Sequence, residues 1–273
     1  MVFLPKNYKI MISKVFLKNT NSQVIIEKGE LISYCVENQE YIHQKGNKGW
    51  RNSDDEMFPI IGPVSENNFR VQTKNGDAIQ DQHGMLREME YSLISWDESS
   101  ASFIKKYKKN TKIKNSKFPE KSTEEYLFWP FDFTFKKNFT LENNILTINF
   151  IINSDKGMPF MLGYHPAFLL SDTGQETVIS GDKKITLSDI YKVGSNAFPI
   201  LNSDKILLKN TDKKDLEITT KGFNNFMLWT EVGNMLCIEP ITQYTSYTDQ
   251  KFSEENMPLS KGEDSFSVYI KVL

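Results

Sequence analysis

Hydrophobic and polar residues of this chain alternate with a period of two over short runs, and polar turn residues separate the runs. Aromatic and polar side chains alternate over residues 131–136, and residues 146–152 repeat the alternation after the turn signal at residues 142–144. Successive side chains of a strand point to opposite faces, so each run predicts a strand with one covered face. Together the two runs predict a β-hairpin.

Eight more short runs extend this pattern, over residues 23–26, 31–36, 102–104, 205–208, 216–219, 226–230, 235–239 and 265–272. No segment carries apolar residues at i, i+3, i+4 and i+7 over several turns, so long amphipathic helices are not expected. The frequent turns favour an all-β fold, either a sandwich or a barrel. Because the sequence contains no linker and no repeat, we expect one domain over residues 1–273.

Composition excludes several classes of protein. The chain has 39% hydrophobic and 12% aromatic residues, which is typical of folded chains and excludes a disordered one. Its net charge of −2 produces no field that would recruit nucleic acid or an anionic membrane. Residues 105–121 are rich in lysine, but few aromatics interrupt them and acidic residues outnumber basic ones by 35 to 33 overall. We therefore predict a solvated strand end and loop there.

Location and cysteine state follow from simple sequence features. The N-terminus is interrupted by Pro5 and several lysines and lacks the apolar core of a signal peptide. No window approaches the roughly 20 apolar residues of a membrane helix, so we expect a cytoplasmic protein with no membrane partner. Cys35 and Cys237 are far apart and each lies among apolar residues, which predicts buried free thiols.

The most informative histidine, His165, follows an apolar run and directly precedes Pro166. Proline lacks an N–H group and holds the preceding residue in extended geometry, so strand pairing should be interrupted beside His165. An imidazole with an ordinary pKa of about 6.5 can exchange protons near neutrality. The pattern suits both a structural core histidine and a histidine aimed into a cleft.

Three further polar residues are candidates for chemistry. His83 precedes a glycine, which suits a turn that approaches another segment closely, and Arg87 offers donors for hydroxyls, carboxylate or phosphate. An ordinary polar turn with a surface arginine is the alternative there. Glu239 ends an apolar run before Pro240, and a carboxylate is costly to bury there unless it is hydrogen-bonded or lines a cavity. It could form an acid–base pair with a histidine, or reach solvent at a strand end.

Four motifs occur in order along the chain: Met-Phe-Pro-Ile-Ile-Gly at residues 57–62, His-Gly-Met-Leu-Arg at 83–87, Gly-Tyr-His-Pro-Ala-Phe at 163–168 and Cys-Ile-Glu-Pro at 237–240. In this order they resemble the aldose 1-epimerase (galactose mutarotase-like) family, and most closely its bacterial LacX-like branch. The resemblance extends from about residue 34 to the C-terminus. It implies a large antiparallel β-sandwich with a sugar cleft on one face.

The resemblance also assigns roles to single residues. Glu239 matches the general base that acts on the anomeric hydroxyl, and His165 matches the histidine that protonates the ring oxygen. His83 matches a sugar-binding histidine, and Arg87 matches an arginine that contacts the substrate. The implied protein is a cofactor-independent isomerase that interconverts the α and β anomers of a hexose by opening the ring. An ionised carboxylate and a protonated imidazole are expected on opposite sides of the sugar.

The chain departs from the family pattern at three places. Pro63 stands where relatives usually have an arginine, so Arg51 or Arg70 could take over that role. The residues at 85–86, Met-Leu, replace the commoner Phe-Ala. The aspartate that binds sugar hydroxyls in the galactose-specific enzymes has no convincing match among three candidates, Asp189, Asp204 and Asp212.

Two other functions share these features. One is a hexose-6-phosphate 1-epimerase, and the other is a non-catalytic carbohydrate-binding or sensing protein, which would lack the acid or the base. A zinc site is conceivable from four residues, His43, His83, His165 and Glu239. No closely spaced histidine pair supports it, so neither a metal nor a cofactor is expected. The expected partner is a small-molecule sugar, and the expected assembly is a monomer or homodimer.

Overall fold

Strands form most of the regular structure in the computed structural model, which describes residues 13–245 and 252–273. In chain order they are β1 (Lys14–Lys18), β2 (Ser22–Glu27), β3 (Glu30–Val36), β4 (Gln39–Glu40), β5 (Glu56–Met57), β6 (Arg70–Gln72), β7 (Ala78–Ile79), β8 (Ser92–Trp96), β9 (Ser100–Tyr107), β10 (Ile113–Lys114), β11 (Tyr126–Leu127) and β12 (Phe133–Glu142). They continue as β13 (Ile145–Ser154), β14 (Gly163–Tyr164), β15 (Ala167–Leu169), β16 (Thr177–Ser180), β17 (Lys183–Thr186), β18 (Phe198–Leu201), β19 (Lys205–Lys209), β20 (Leu216–Lys221), β21 (Asn225–Trp229), β22 (Met235–Ile241), β23 (Phe252–Ser253) and β24 (Glu263–Val272).

Helical structure in the same ranges is limited to the short helix α1 (Leu187–Tyr191) and to 3₁₀ turns at Ser65–Asn67, Leu86–Glu88 and Glu254–Asn256. None of these helices is long and apolar enough to cross a membrane. The predicted all-β class is therefore confirmed. The expectation about export rests in part on residues 1–12, which lie outside the described ranges, and the single domain over residues 1–273 stays a prediction.

Two large antiparallel sheets form the predicted sandwich. Nine strands lie in the order β17-β16-β19-β20-β24-β13-β12-β9-β8, and six form the second sheet, β18-β21-β22-β14-β5 with β15 beside β22. Rings pack between the sheets: the centroid of Phe150 in β13 lies 5.2 Å from that of Tyr164 in β14, and that of Phe135 in β12 lies 5.5 Å from that of Phe58 beyond β5. The smaller sheets are β1-β2-β3-β4, β23-β6-β7 and β10-β11.

The predicted hairpin is confirmed, because β12 pairs with β13 over ten residues, from Phe133 opposite Ser154 to Glu142 opposite Ile145. Every second residue of β12 is buried, which follows directly from the period-two pattern of the sequence. The first two residues of the predicted run, 131 and 132, precede the strand. The hairpin lies inside the nine-stranded sheet, where β9 pairs with β12 and β24 pairs with β13.

A cluster of ionisable side chains is buried between the two sheets. The Nζ atom of Lys137 in β12 lies 2.6 Å from Oδ2 of Asp54 and 2.6 Å from Oε1 of Glu56. Lys105 of β9 lies 3.7 Å from Oε2 of Glu56, and the hydroxyl of Tyr164 donates to Asp54 at 2.8 Å. The charged side chains are at most 5% exposed. The cluster thus joins the nine-stranded sheet to the edge of the six-stranded one.

Two predictions about single residues are wrong. Lys105 is not solvated, because β9 continues to Tyr107 and alternation turns Lys105 inward, where its Nζ donates to the carbonyl oxygen of Leu86 at 2.9 Å. Cys35 is only half-buried, because Tyr34 and Val36 of the same strand occupy the core face. Both cysteines are free, and Cys237 is buried, as the sequence predicts.

We expect Lys137→Met to lower the free energy of unfolding by about 3–5 kcal/mol, because it removes the cation nearest to two buried carboxylates. Lys136→Met is the matched control, since Lys136 lies on the half-exposed face of the same strand and should change the value by less than about 0.5 kcal/mol. Urea denaturation measures both variants. Equal effects would contradict a structural role for the cluster.

Candidate active site

A cleft of about 910 Å³ opens on the face of the six-stranded sheet that points away from the nine-stranded sheet. Alternation places it there: Tyr164 and Ile238 point into the core, whereas His165 and Glu239, one position on, line the cleft. Its volume lies within the range of small-molecule sites. The structure brings all four predicted site residues to this cleft: His83, Arg87, His165 and Glu239.

His165 lies in the break between β14 and β15, and Pro166 causes the break as predicted. The backbone of His165 still pairs with Asp55: its N–H donates to the carbonyl oxygen of Asp55 at 2.8 Å, and its carbonyl accepts from the N–H of Asp55 at 3.2 Å. The His165 side chain is 8% exposed. Both the backbone and the packing therefore hold the imidazole in place.

Glu239 lies inside a strand, so the prediction that it ends one is wrong. β22 continues through Pro240, which the proline's missing N–H would normally prevent in a central strand. The N–H groups of Ile238 and Thr242 donate toward the segment that contains β14 and β15. Backbone nitrogens alternate in direction along a strand, so the nitrogen of Pro240 points to the same side as those of Ile238 and Thr242. It faces the break at Pro166, where the pairing between strands is already interrupted.

His165 and Glu239 are in direct contact, with Nε2 and Oε1 3.3 Å apart. This distance leaves no space for a sugar between the two groups. The expectation that they flank a substrate from opposite sides is therefore wrong. They present an imidazole and a carboxyl group side by side to the same region of the cleft.

Burial governs the protonation of this pair. Removal from water raises the pKa of Glu239 well above its ordinary value of 4.5. It also lowers the pKa of His165 from 6.5 to about 3, an effect to which the charge of Arg87 adds. Groups this close titrate as a pair. Burial therefore favours the uncharged forms of both groups, a neutral imidazole beside a protonated carboxyl.

His83 is held by a tight turn against the segment at residues 57–62. It has φ of +72°, and Gly84 has φ of +68° where an added Cβ would overlap the carbonyl oxygen of Phe58, so the predicted close approach is confirmed. Nδ1 of His83 lies 3.0 Å from the carbonyl oxygen of Ile61 and must donate to it. Nε2 is then left as an acceptor. The ring centroid lies 5.6 Å from that of His165.

Burial lowers the pKa of His83 well below 6.5, and the nearby charge of Arg87 acts in the same direction. Arg87 itself is 17% exposed, so the alternative of a surface arginine is wrong. Its Nε lies 3.6 Å from Oε1 of Glu88. Neither Nε nor Nη2 has a hydrogen-bond partner among the described residues, although both atoms are buried. Such donors beside a cleft are placed to meet oxygen atoms of a ligand.

Several lining residues were not predicted. The ring centroid of Trp50 lies 4.3 Å from that of His165 at an interplanar angle of 32°, and that of Trp229 lies 6.3 Å away. Asp55 also lines the cleft, and burial together with the charge of Glu56 raises its pKa to about 6. Trp50 belongs to a loop without periodicity. Asp55 could have been found from the sequence, because it lies between Asp54 and Glu56. In an extended segment, alternation turns Asp55 to the face opposite to these two residues.

The departures from the family pattern have clear positions. Arg51 lines the cleft, whereas Arg70 lies 3.9 Å from Asp77 outside it. The residues at 85–86 are fully buried under the His83 turn. The three candidate aspartates are absent from the part of the cleft that the structure describes: Asp189, Asp204 and Asp212. Asp189 instead forms the capping box of α1 with Thr186.

The zinc set considered from the sequence does not assemble in the described ranges. His43 is fully buried, and its Nε2 lies 2.8 Å from the carbonyl oxygen of Trp50, away from the cleft. Cys237 lies beside the acid–base pair instead. One donor atom each from His165, Cys237 and Glu239 lies within 4.8 Å of the other two.

Several solved structures that are similar to this chain are described as galactose mutarotase-like proteins or galactose epimerases. The galactose mutarotase related enzyme from Lactobacillus acidophilus is 21% identical, with a TM-score of 0.77 over 95% of this chain and 97% of that chain. A galactose mutarotase-like protein from Lactobacillus casei is 15% identical, with a TM-score of 0.78 over 95% of this chain and 100% of that one. Galactose 1-epimerase from Lactobacillus acidophilus NCFM is 14% identical, with a TM-score of 0.71 over 94% and 93%.

At these identities the likeness concerns the fold. Among curated proteins, none matches this chain. The sequence model of the Aldose 1-epimerase family matches residues 17–263, which is most of the chain. The chain therefore belongs to the aldose 1-epimerase family.

Proposed function

We propose that this protein is an aldose 1-epimerase that interconverts the α and β anomers of a hexose without a cofactor. The observation that carries the proposal is the 3.3 Å contact between Nε2 of His165 and Oε1 of Glu239 on the wall of a cleft of small-molecule size. Membership of the family supports it. The roles of single residues given below are part of the proposal.

Anomerisation requires that a proton leave the C1 hydroxyl and that a proton reach the ring oxygen. Both oxygens are bonded to C1, so an acid and a base in mutual contact can reach them from one side of the sugar. Glu239 takes the hydroxyl proton while His165 protonates the ring oxygen, and the bond between C1 and that oxygen breaks. The free aldehyde rotates about the C1–C2 bond, and the reverse transfers close the ring.

The proton count of the pair suits this reaction. Burial favours the state with a proton on Glu239 and a neutral His165, and the reaction needs that proton on His165. Sugar hydroxyls that donate to the carboxylate favour its ionised form, so substrate binding moves the proton across the pair without uptake from solvent. A positioned acid or base typically contributes about 10²–10⁴-fold to the rate.

Substrate contacts come from the remaining lining groups. His83 offers an acceptor at Nε2, Arg87 offers donors that have no hydrogen-bond partner among the described residues, and Asp55 offers a carboxylate for hydroxyl groups. The ring of Trp50 covers His165 and presents an apolar surface for the C–H groups of a sugar. Asp55 thereby provides a carboxylate for sugar hydroxyls, although the sugar-binding aspartate of the galactose-specific enzymes has no convincing match in this sequence.

A hexose-6-phosphate 1-epimerase is the second candidate, because three further cations line the cleft, Arg51, Lys117 and Lys121. Lys117 is already engaged, with Nζ 3.4 Å from Asp81. A non-catalytic binding protein has less support, since the chain retains both the acid and the base. The LacX-like branch, the cytoplasmic location and the monomer or homodimer stay predictions.

We expect Glu239→Gln and His165→Gln each to slow anomer exchange by about 10²–10⁴-fold, because each variant removes one of the two proton transfers. NMR exchange of freshly dissolved α-glucose or α-galactose measures the rate after subtraction of the spontaneous reaction. Glu231→Gln is the control, since Glu231 is an exposed carboxylate at the rim of the same cleft. An unchanged rate of anomer exchange in Glu239→Gln would refute the proposal.

A bell-shaped pH profile of kcat/KM is also expected. As pH falls through about 6, Asp55 gains a proton and loses its charge for hydroxyl binding. As pH rises through the raised pKa of Glu239, the pair loses the proton that the ring oxygen must receive. Asp55→Asn should remove the acid limb and leave the alkaline limb in place. An alkaline limb that disappears in Asp55→Asn would contradict this assignment.

Arg87→Gln should raise KM by about 10–100-fold with a smaller change in kcat, because hydrogen bonds to a charged group contribute about 1.5–3 kcal/mol. The comparison of glucose with glucose 6-phosphate separates the two candidate functions. A larger loss for the phosphate ester favours the second candidate. The same loss for both sugars favours hydroxyl binding, and an unchanged KM for both would contradict a binding role.

A further inference from the structure

The chain brings a thiol, an imidazole and a carboxyl group together at the wall of the cleft. Cys237 and Glu239 are two residues apart on β22, so their side chains leave the same face of the strand. Cys237 is opposite Ala167 of β15, and His165 lies just before that strand. Donor atoms of the three residues lie within 4.8 Å of one another.

Cys237 is outside the catalytic pair and belongs to a small apolar cluster beside the cleft. Its buried neighbours are Ala167 and Met235, and three partly buried side chains pack against them, Trp50, Trp229 and Val232. The thiol is fully buried and does not line the cleft itself. His165 and Glu239 do line it. An ion that enters the cleft therefore meets these two groups first and the thiol behind them.

The three donors suit a thiophilic divalent cation. Zinc bonds to cysteine, histidine and carboxylate donors at about 2.0–2.3 Å, which places tetrahedral donor atoms about 3.5 Å apart. The contact of 3.3 Å between His165 and Glu239 already has this spacing. The donor atoms of all three residues lie within 4.8 Å of one another, so zinc binding requires Sγ of Cys237 to move closer to the other two. Thiolate and carboxylate together balance the double charge of the ion, which a buried site requires.

We propose that Cys237, His165 and Glu239 form a Zn²⁺ site whose occupancy inhibits the enzyme. Binding releases the thiol proton of Cys237 and the carboxyl proton of Glu239 to solvent, and it engages a ring nitrogen of His165. The fourth coordination position faces the cleft and takes a water molecule. Inhibition follows because the ion engages both groups of the acid–base pair. The inhibition rests on the proposed epimerase function, whereas the binding does not.

Cobalt is the probe for binding, because a thiolate bound to Co²⁺ gives a charge-transfer band in the near ultraviolet. We expect this band with the full-length wild-type protein and expect Zn²⁺ to abolish it by displacement. Cys237→Ser and Cys237→Ala should lack the band, and Cys35→Ser, the matched control at the other free cysteine, should retain it. A band that persists in Cys237→Ala, or that requires Cys35, would overturn the site.

Inhibition is tested by titrating Zn²⁺ into the anomer-exchange assay. The Zn²⁺ concentration for half-inhibition should rise by at least about 10-fold in Cys237→Ser, as expected for loss of a metal-binding group, and should not change in Cys35→Ser. Basal exchange should be retained in both variants. Equal half-inhibition in wild type and Cys237→Ser would overturn the inhibitory role. A cobalt band in a protein that lacks epimerase activity would refute the proposed function and leave the metal site standing.

X-ray absorption at the zinc edge provides a readout that needs no variant. The wild-type protein with one equivalent of Zn²⁺ should show a single sulfur scatterer at about 2.3 Å together with nitrogen and oxygen scatterers at about 2.0 Å. A shell of nitrogen and oxygen alone would overturn the site even if the Cys237 variants fail to fold.

Discussion

The bridge from Lys137 to Asp54 and Glu56 is the interaction on which the site depends. It joins the nine-stranded sheet to the edge of the six-stranded sheet through buried charges, which are tolerated only when they are paired. Because strand side chains alternate, turning residues 54 and 56 inward turns Asp55 toward the cleft. The backbone of Asp55 then pairs with that of His165. An ion cluster in the core thus sets the position of a side chain on the opposite face of the sheet.

Burial has two consequences at the cleft. It favours the neutral forms of His165 and Glu239, and it leaves Arg87 with donors that are not hydrogen-bonded within the described structure. His83 adopts a left-handed backbone conformation that non-glycine residues rarely adopt. Each of these features costs stability, and the surrounding sandwich must offset that cost. Such costs are typical of sites prepared to receive polar ligands.

Proton transfer and metal binding draw on the same types of group. An imidazole beside a carboxyl group can move protons, and the same two groups with a thiol can bind a soft cation. In this chain Cys237 is the residue that would add metal binding to proton transfer, because it lies two residues before Glu239 on the same face of β22. Alternation in one strand therefore connects the proposed catalysis to the proposed inhibition.

Features that depend on near neighbours along the chain can be read from the sequence alone. Period-two runs determined the all-β class and the hairpin of β12 and β13, Pro166 determined the break beside His165, and Gly84 determined the close turn at His83. The ordered motifs determined the family. Tertiary structure decided the rest: that Lys105 is buried, that Glu239 lies inside β22, and that the wall of the cleft includes Trp50 and Asp55. The physical reason is that burial, ion pairing and proton sharing depend on which distant strands become adjacent, and local patterns do not encode that adjacency.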